Sequence, residues 1–284
     1  MLSRLSTNPI IRPDMDTRMG SNINGPSLIR VPDWVDNPLG KYYLYFGHHQ
    51  GKYIRLAYAD ELEGPWTTYE KGVLDLEDAY CSAHVASPDV HIFDDTREIR
   101  MYYHGPIPGK GQQSKVALSQ NGLEFVAKPE DLGYSYFRVF HWKGCTYALG
   151  MPGIFYRSKD GITNFEEGPT LFTEDMRHTA LKLDDNILTV YYSNAFDCPE
   201  RILSATIDLN PDWMEWTHTE PRVVLEPEED YEGADLPLVA SERGSTHQRV
   251  RQLRDPGIFR EGDATYLLYS VAGESGIAIA RFVD

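Results

Sequence analysis

Two short segments of the chain place a carboxylate beside a proline, at the point where an apolar run begins. Ser87-Pro88-Asp89 leads into one such run and Asp255-Pro256 into another. Two carboxylates brought to opposite sides of one sugar bond form the arrangement that glycoside hydrolysis requires. The alternative is that both aspartates only cap turns before strands, as Asp beside Pro often does. The elements around them decide whether the two acids can share a site.

The composition favours an all-β protein. The chain of 284 residues is 12% aromatic, with 18 tyrosines, 23 glycines and 18 prolines. This mixture suits many short strands joined by tight turns and argues against a helical bundle. No linker or low-complexity stretch divides the sequence, so we expect a single domain over residues 1–284 with a sizeable core.

An imperfect repeat of an apolar strand, a turn, an aromatic strand, a loop and a further strand occurs five times. The second strands centre near Tyr43, Tyr102, Tyr147, Val190 and Leu267. Repeats of this size predict a five-bladed β-propeller. An insertion at about 221–252 precedes the last repeat, and its acidic run at 226–230 is interpreted as a solvated loop. The fifth repeat lacks an outer strand, which we expect the segment around Pro9-Ile10-Ile11 to supply.

Charge and cysteine content narrow the possible partners. A net charge of −16 argues against a nucleic-acid partner, which would select a basic face, but permits a neutral carbohydrate. Cys81, Cys145 and Cys198 show neither a disulfide framework nor a metal-ligand spacing. We therefore expect buried free thiols, no metal and no cofactor. The sequence shows no secretory signal and no membrane-length apolar segment, which predicts a cytoplasmic protein with no membrane partner. A closed propeller permits a monomer, and an arm at residues 1–20 leaves a homo-oligomer open.

The five repeats, with acids at the start of inner strands, resemble the five-bladed propeller glycosidases: the family 43 arabinanases and xylosidases, the invertase-like enzymes and the neoagarooligosaccharide hydrolases. The resemblance extends over nearly the whole chain and implies a funnel-shaped sugar site at the propeller axis. Family 43 implies an Asp base on the first blade, an Asp on the second blade that tunes a pKa, and a Glu acid. The segment at 87–90 resembles the second-blade motif, and Asp255-Pro256 resembles the base motif although it lies in the last repeat. Asn22 and Asn24 stand where the first-blade acid belongs.

The catalytic candidates follow from this resemblance. Asp255 is predicted as the base and Asp89 as the second, pKa-tuning carboxylate. For the acid, Glu242 lies in the insertion, where a loop could overhang the funnel; the alternative is a surface Glu paired with Arg243. His178 opens the fourth repeat and is the other candidate, since the neoagarooligosaccharide hydrolases use a His as acid. The alternative for His178 is a hydrogen-bonded residue that lines the funnel.

Further polar residues near the starts of inner strands are candidates for binding the substrate: Asn24, His84, Arg138, Arg177 and Arg254. The arginines either pair with the acids as a structural network or grip a carboxylate or phosphate. We predict a hydrolase of small oligosaccharides, exo-acting because the insertion would close one end of the funnel. A glycoside phosphorylase and a catalytically silent sugar-binding propeller are the alternatives.

Overall fold

Five antiparallel sheets surround one axis and form the β-propeller that the repeats predict. The computed structural model describes residues 1–283. A first strand, β1 (Leu2–Arg4), precedes the blades. Blade one contains β2 (Asn24–Arg30), β3 (Tyr42–Gly47), β4 (Tyr53–Ala59), β5 (Thr67–Thr68) and β6 (Leu74–Asp75). Blade two contains β7 (Ala86–Phe93), β8 (Glu98–Ile107), β9 (Gly111–Ser119), β10 (Val126–Ala127) and β11 (Gly133–Tyr134).

The remaining three blades follow in chain order. Blade three contains β12 (Arg138–Trp142), β13 (Cys145–Gly150), β14 (Ile154–Ser158) and β15 (Glu166–Thr170). Blade four contains β16 (Met176–Asp184), β17 (Ile187–Asn194), β18 (Ile202–Asp208) and β19 (Arg222–Leu225). Blade five contains β20 (Arg254–Glu261), β21 (Ala264–Ser270) and β22 (Ile277–Phe282), and β1 completes it.

Helical structure is confined to short turns. The 3₁₀ helices within residues 1–283 have three residues each: Pro13–Met15, Leu76–Asp78, Asp94–Thr96, Trp213–Glu215 and Asp230–Glu232. No helix in this range is long and apolar enough to cross a membrane.

The aromatic second strands are the reason that the blades pack. Strand β3 is buried along its whole length, and its alternate side chains serve two different cores. Tyr43 and Tyr45 pack into the core shared with blade two, whereas Tyr42, Leu44 and Phe46 pack into the core shared with blade five. Because successive side chains of a strand point to opposite faces, one apolar strand joins both neighbouring blades.

The propeller closes through its first strand, which corrects the predicted position of the outer strand. Strand β1 pairs with β22, and Arg4 lies opposite Ala280. The predicted segment makes only a bridge from Ile11 to Ile277, beside this closure. Arg4 also binds Glu232 at 2.8 Å, and that buried carboxylate accepts the Tyr269 hydroxyl at 2.8 Å. The closing strand is therefore held by charge as well as by backbone pairing.

The insertion differs from its predicted form in two ways. Its first residues form β19, the outer strand of blade four. Its acidic run is not only solvated, because Glu226 pairs with Arg201 and Glu228 pairs with Arg4. The later part of the insertion lies over blades four, five and one, which places it around one end of the axis. There the Gly244 carbonyl accepts hydrogen bonds from two arginines, and the Thr246 carbonyl accepts one from Asn22.

The cysteines are free thiols within residues 1–283. Cys81 and Cys145 are half-buried, but Cys198 is exposed, so the prediction of buried thiols is wrong for that residue.

Candidate active site

The inner strands share one backbone feature at their starts. In blades one, two, four and five a β-bulge interrupts the pairing between the inner and second strands. The residue at this position, and its counterpart just before β12 in blade three, has a positive φ. They are Gly25 (61°), Ser87 (51°), Tyr136 (68°), His178 (55°) and Asp255 (48°). A left-handed backbone is strained for residues with a side chain and is frequent at functional sites.

The four residues with side chains at these bulge positions meet in one cavity at the axis. We call the face where the inner strands begin the upper face, and this cavity of about 120 Å³ the upper pocket. Its polar lining consists of Asn24, His49, His84, Ser87, His104, Gln112, Ser135, Tyr136, His178 and Asp255. The lining includes residues of all five blades, so the pocket depends on the ring being closed.

Asp255 contributes the carboxyl group of the upper pocket. Its side chain is buried, and its Oδ1 accepts the Tyr136 hydroxyl at 2.7 Å. Its Oδ2 is buried without a hydrogen-bond partner among the described residues. Burial and the negative charge of nearby Glu274 raise the pKa of Asp255 from 3.8 to about 6. Asp255 can therefore exchange a proton close to neutral pH.

His49 is the second group in the upper pocket that is suited to proton transfer. Its Nδ1 lies 2.9 Å from Oε2 of the buried Glu274, which fixes the orientation of the imidazole. Its Nε2 makes no hydrogen bond to any described residue. Burial opposes the charged form of His49, but Glu274 outweighs this and raises the pKa of the imidazole. The same carboxylate thus raises the pKa of both Asp255 and His49.

Two other histidines of the pocket are held neutral. Burial, with the nearby positive charge of Arg177, lowers the pKa of His178 well below its ordinary value. Burial likewise lowers the pKa of His104 to about 3. His178 Nε2 lies 3.8 Å from Asp255 Oδ1. That distance is too short for the two groups to lie on opposite sides of a sugar ring, where acid and base are about 5–9.5 Å apart. Neutral imidazoles can instead accept hydrogen bonds from sugar hydroxyls or donate hydrogen bonds to them.

A buried ionic network lies behind the pocket and anchors its strands. Arg254, which precedes Asp255, contacts Glu274 at 2.8 Å and Glu200 at 3.0 Å. Arg177, which precedes His178, binds Glu200 through two nitrogens. All four charged side chains are at most 3% exposed. The prediction that Arg177 and Arg254 bind substrate is not supported, because neither lines the upper pocket and both are paired with buried glutamates.

Arg138 contacts two residues that line the upper pocket, Ser87 and Tyr136, but does not line it itself. Its Nε donates to the Thr179 carbonyl of blade four, and its Nη1 donates to the Ser87 and Pro88 carbonyls of blade two. Its guanidinium also lies over the Tyr136 ring, 4.4 Å from the centroid. Arg138 therefore spans the axis between three blades. It was predicted as a substrate-binding residue, but it lines a second axial cavity and not the upper pocket.

Asp89 lies beside Arg138 and outside the upper pocket, which corrects the predicted pairing of the two acids. It lines a second axial cavity of about 310 Å³ that Asp255 does not line. Its Oδ2 accepts hydrogen bonds from His91 Nε2 and from the Val139 backbone, both at 2.8 Å. Burial alone would raise the pKa of Asp89, but His91 and Arg138 outweigh it and lower the pKa. Asp89 is thus ionised at neutral pH and belongs to a different site from Asp255.

The other predicted residues divide between the pocket and the surface. Asn24 lines the pocket and donates to Glu274, and His84 lines it beside Gln112, 3.3 Å away. Glu242 is exposed, and it lines neither axial cavity. Arg243 binds the Glu174 carbonyl instead, so the predicted pairing of Arg243 with Glu242 is not found.

Sequence reasoning missed Glu200 and Glu274, and it gave His49 no catalytic role. All three lie in the loop between the second and third strands of their blades, which ends on the upper face. Comparing this loop across the repeats would have aligned Glu200 with Glu274, each two or three residues before the third strand. Four histidines and an aspartate share the pocket. Even so, no three His, Cys, Asp or Glu side chains within residues 1–283 are grouped so that they could hold a metal ion.

Comparison with known proteins gives one relative by sequence and many by structure. No protein-family model matches the chain. An uncharacterized protein of Acanthamoeba polyphaga mimivirus is 36% identical over an alignment 320 positions long, which covers 98% of this chain and 89% of the viral protein.

Solved glycosidases have the same fold. A glycosyl hydrolase from Bacteroides ovatus superposes with a TM-score of 0.73 at 13% identity, over 99% of this chain and 93% of its own. A family 43 enzyme from Xanthomonas citri superposes with a TM-score of 0.61 at 14% identity, over 92% of this chain and 87% of its own. The Xanthomonas enzyme has also been solved in complex with xylotriose. These similarities establish the propeller fold.

Proposed function

Because the chain belongs to the same protein family as the mimivirus protein and has the fold of the family 43 glycosidases, we propose that it is a glycoside hydrolase whose active site is the upper pocket. One observation carries this proposal. The pocket contains a carboxyl group, Asp255, whose pKa is raised by burial and by Glu274, and an imidazole, His49, whose pKa Glu274 raises against the effect of burial. Perturbed titratable groups that converge in an axial pocket are the expected signature of acid–base chemistry.

The proposed reaction divides the proton transfers between these two residues. Above pH 6 Asp255 is mostly ionised, while the raised pKa of His49 keeps its imidazole partly protonated. His49 Nε2–H donates its proton to the glycosidic oxygen as the bond from that oxygen to the anomeric carbon breaks. Asp255 takes a proton from the water that attacks this carbon. The products are two sugars with free hydroxyl groups. The proton that Asp255 took from water then returns to His49 through solvent.

The size of the pocket supports removal of single terminal sugars. Its volume of about 120 Å³ is below the roughly 300–1,000 Å³ of pockets that enclose drug-sized ligands. The insertion lies around its rim. Such a pocket suits one sugar ring at the end of a chain better than the interior of a polymer.

The charge around the pocket supports a neutral substrate and water as the acceptor. Arg177 and Arg254 would be the obvious groups for a carboxylate or phosphate, but both are paired with buried glutamates. A glutamate-paired guanidinium has little charge left to hold an anion. Hydrolysis is therefore favoured over phosphorolysis, and neutral sugars are favoured over uronic ones.

The test is product release from xylo-, arabino- and neoagaro-oligosaccharides, with and without inorganic phosphate, followed by mass-resolved chromatography. We expect free monosaccharide from one series at a rate that is independent of phosphate. Sugar phosphate formed only with phosphate would establish a phosphorylase. Binding without any product would establish the sugar-binding propeller and refute the proposed hydrolase.

Protein variants, assayed on the oligosaccharide series that is hydrolysed, then locate the site. Asp255→Asn and His49→Gln should each lower kcat by a factor of about 10² or more, because each removes a proton-transfer group. Asp263→Asn is the matched control, since Asp263 is exposed in the β20–β21 hairpin of the same blade. Equal activity in all three variants would show that the upper pocket is not the active site.

A further inference from the structure

The second axial cavity has the properties of a binding site. We call it the lower cavity; it lies between the inner strands, on the opposite side of Arg138 from the upper pocket. Its volume of about 310 Å³ falls within the range of known ligand pockets, roughly 300–1,000 Å³. Residues of all five inner strands line it, and nothing in the proposed reaction uses it.

Two charged groups in the lower cavity have unused hydrogen-bonding capacity. Arg138 is 3% exposed, and its buried Nη2 has no hydrogen-bond partner among the described residues. Both hydrogen bonds made to Asp89 in the described part of the chain end on Oδ2, which leaves Oδ1 free to accept. A buried guanidinium N–H without a partner is costly, so native proteins usually satisfy such a group with water or a ligand.

The inner strands supply further hydrogen-bonding groups. Each inner strand pairs on one side only, with the second strand of its blade. The backbone N–H and C=O groups on its other edge therefore face the axis. The lining of the cavity also includes apolar residues: Leu28, Val90, Val139 and Leu181. The cavity thus combines apolar patches with both donors and acceptors.

The charges select the chemical class of the ligand. Asp89 would repel an anion and Arg138 would repel a cation, and burying either ion beside them would be costly. Arg30 and Arg260 stand at the mouth, but Arg30 faces Glu261 and Arg260 faces Asp184, so the mouth adds little net charge. A hydroxyl group can accept from Arg138 and donate to Asp89. A neutral molecule with several hydroxyl groups satisfies both.

We propose that the lower cavity is a second binding site, which takes a neutral polyol the size of one monosaccharide. The site is separated from the upper pocket by the guanidinium of Arg138, and it does not depend on the activity proposed for that pocket.

Binding to purified protein tests the proposal with D-xylose, D-glucose and myo-inositol as probes, measured by calorimetry and by ligand-observed NMR. D-glucuronate and D-glucosamine serve as charged analogues. We expect the neutral probes to bind at least tenfold more tightly than either charged one. Absence of binding by every neutral probe would overturn the proposal.

Two leucines on one strand provide a matched pair of variants that localises the binding. Leu181 lines the lower cavity and Leu183 does not, although both are half-buried against the same core. Leu181→Trp should fill the cavity and abolish the lower-cavity binding, whereas Leu183→Trp should retain it. Neutral-probe binding that survives Leu181→Trp unchanged would assign that binding to another site and overturn the proposal.

A second variant tests the basis of selectivity. Asp89→Asn removes the negative charge but keeps a hydrogen-bonding oxygen, so binding of D-glucuronate relative to D-glucose should rise at least tenfold. A merely structural role for Asp89 would weaken all probes alike. An unchanged ratio would therefore refute the part assigned to Asp89.

Discussion

The two ends of the propeller axis are built from the same five strands but differ in how they hold charge. At the upper end, left-handed bulge residues face a small pocket, and buried Arg–Glu pairs hold two of them from behind. At the lower end, Asp89 is paired with His91, the mouth arginines face exposed acids, and the cavity is larger. At the upper end, burial and the nearby Glu274 carboxylate raise the pKa of Asp255. At the lower end, the charges of His91 and Arg138 outweigh burial and lower the pKa of Asp89.

The largest effect expected from this contrast is on turnover. Asp255→Asn should lower kcat by a factor of about 10² or more, because an amide cannot take a proton from water. The factor by which Asp89→Asn lowers kcat should be at least 100 times smaller, since Asp89 lies in the other cavity. Single-turnover rates on the active oligosaccharide measure both. Similar losses in the two variants would mean that the acids cooperate as the sequence predicts.

The next largest expected difference between the two ends is the loss of stability when a charged residue is replaced. Glu200→Gln leaves Arg177 and Arg254 without their shared buried partner, which should lower the free energy of unfolding by about 3–5 kcal/mol. Asp184→Asn removes an exposed partner of Arg260 at the lower mouth and should cost less than about 1 kcal/mol. Denaturant unfolding of both variants gives the comparison. Equal losses would show that burial of the upper network has no energetic consequence.

The pH dependence of kcat/KM should depend on Glu274. The profile should rise as Asp255 ionises near pH 6 and fall as His49 loses its proton at higher pH. The negative charge of Glu274 raises both pKa values, so Glu274→Gln should move both limbs to lower pH, by roughly one unit. Glu274→Asp keeps the charge and should preserve the limbs. If both limbs stay at the same pH in Glu274→Gln, then Glu274 does not raise the pKa values of Asp255 and His49.

A smaller effect concerns the contribution of Asp255, the proposed base, to the stability of the fold. Because the folded-state pKa of Asp255 is raised from 3.8 to about 6, its contribution to stability is complete below pH 4 and is lost as pH rises through 6. Asp255→Asn has no carboxyl to ionise at this position, so its stability does not fall in this way as the pH rises. At pH 7 the variant should melt higher than the wild type, by roughly 2–4 °C, and the difference should vanish near pH 4. Scanning calorimetry at both pH values checks this.

The repeats predicted the propeller because aromatic second strands and hairpin turns are local signals, readable at Tyr43 or Tyr147 without any neighbour. The same signals located Asp255 and His178 at strand starts. They could not place Asp89, because it stands two residues after the bulge residue Ser87 and not at the bulge itself. Nor could they find Glu200 and Glu274, because the contacts of Glu200 with Arg254 and of Glu274 with His49 form only when blades four, five and one meet.

The pairing of β1 with β22 also has a consequence for how the protein acquires its site. Contacts between the two ends of a sequence are the slowest to form, because closing so long a loop costs the most chain entropy. Asn24 and His49 belong to blade one, whereas Asp255 and Glu274 belong to blade five. These residues become neighbours only when the first and last blades meet. Chains that have folded every blade but not yet joined the ring should therefore have native-like strands and an incomplete upper pocket. Recovery of the proposed activity should then lag behind recovery of β-structure during refolding.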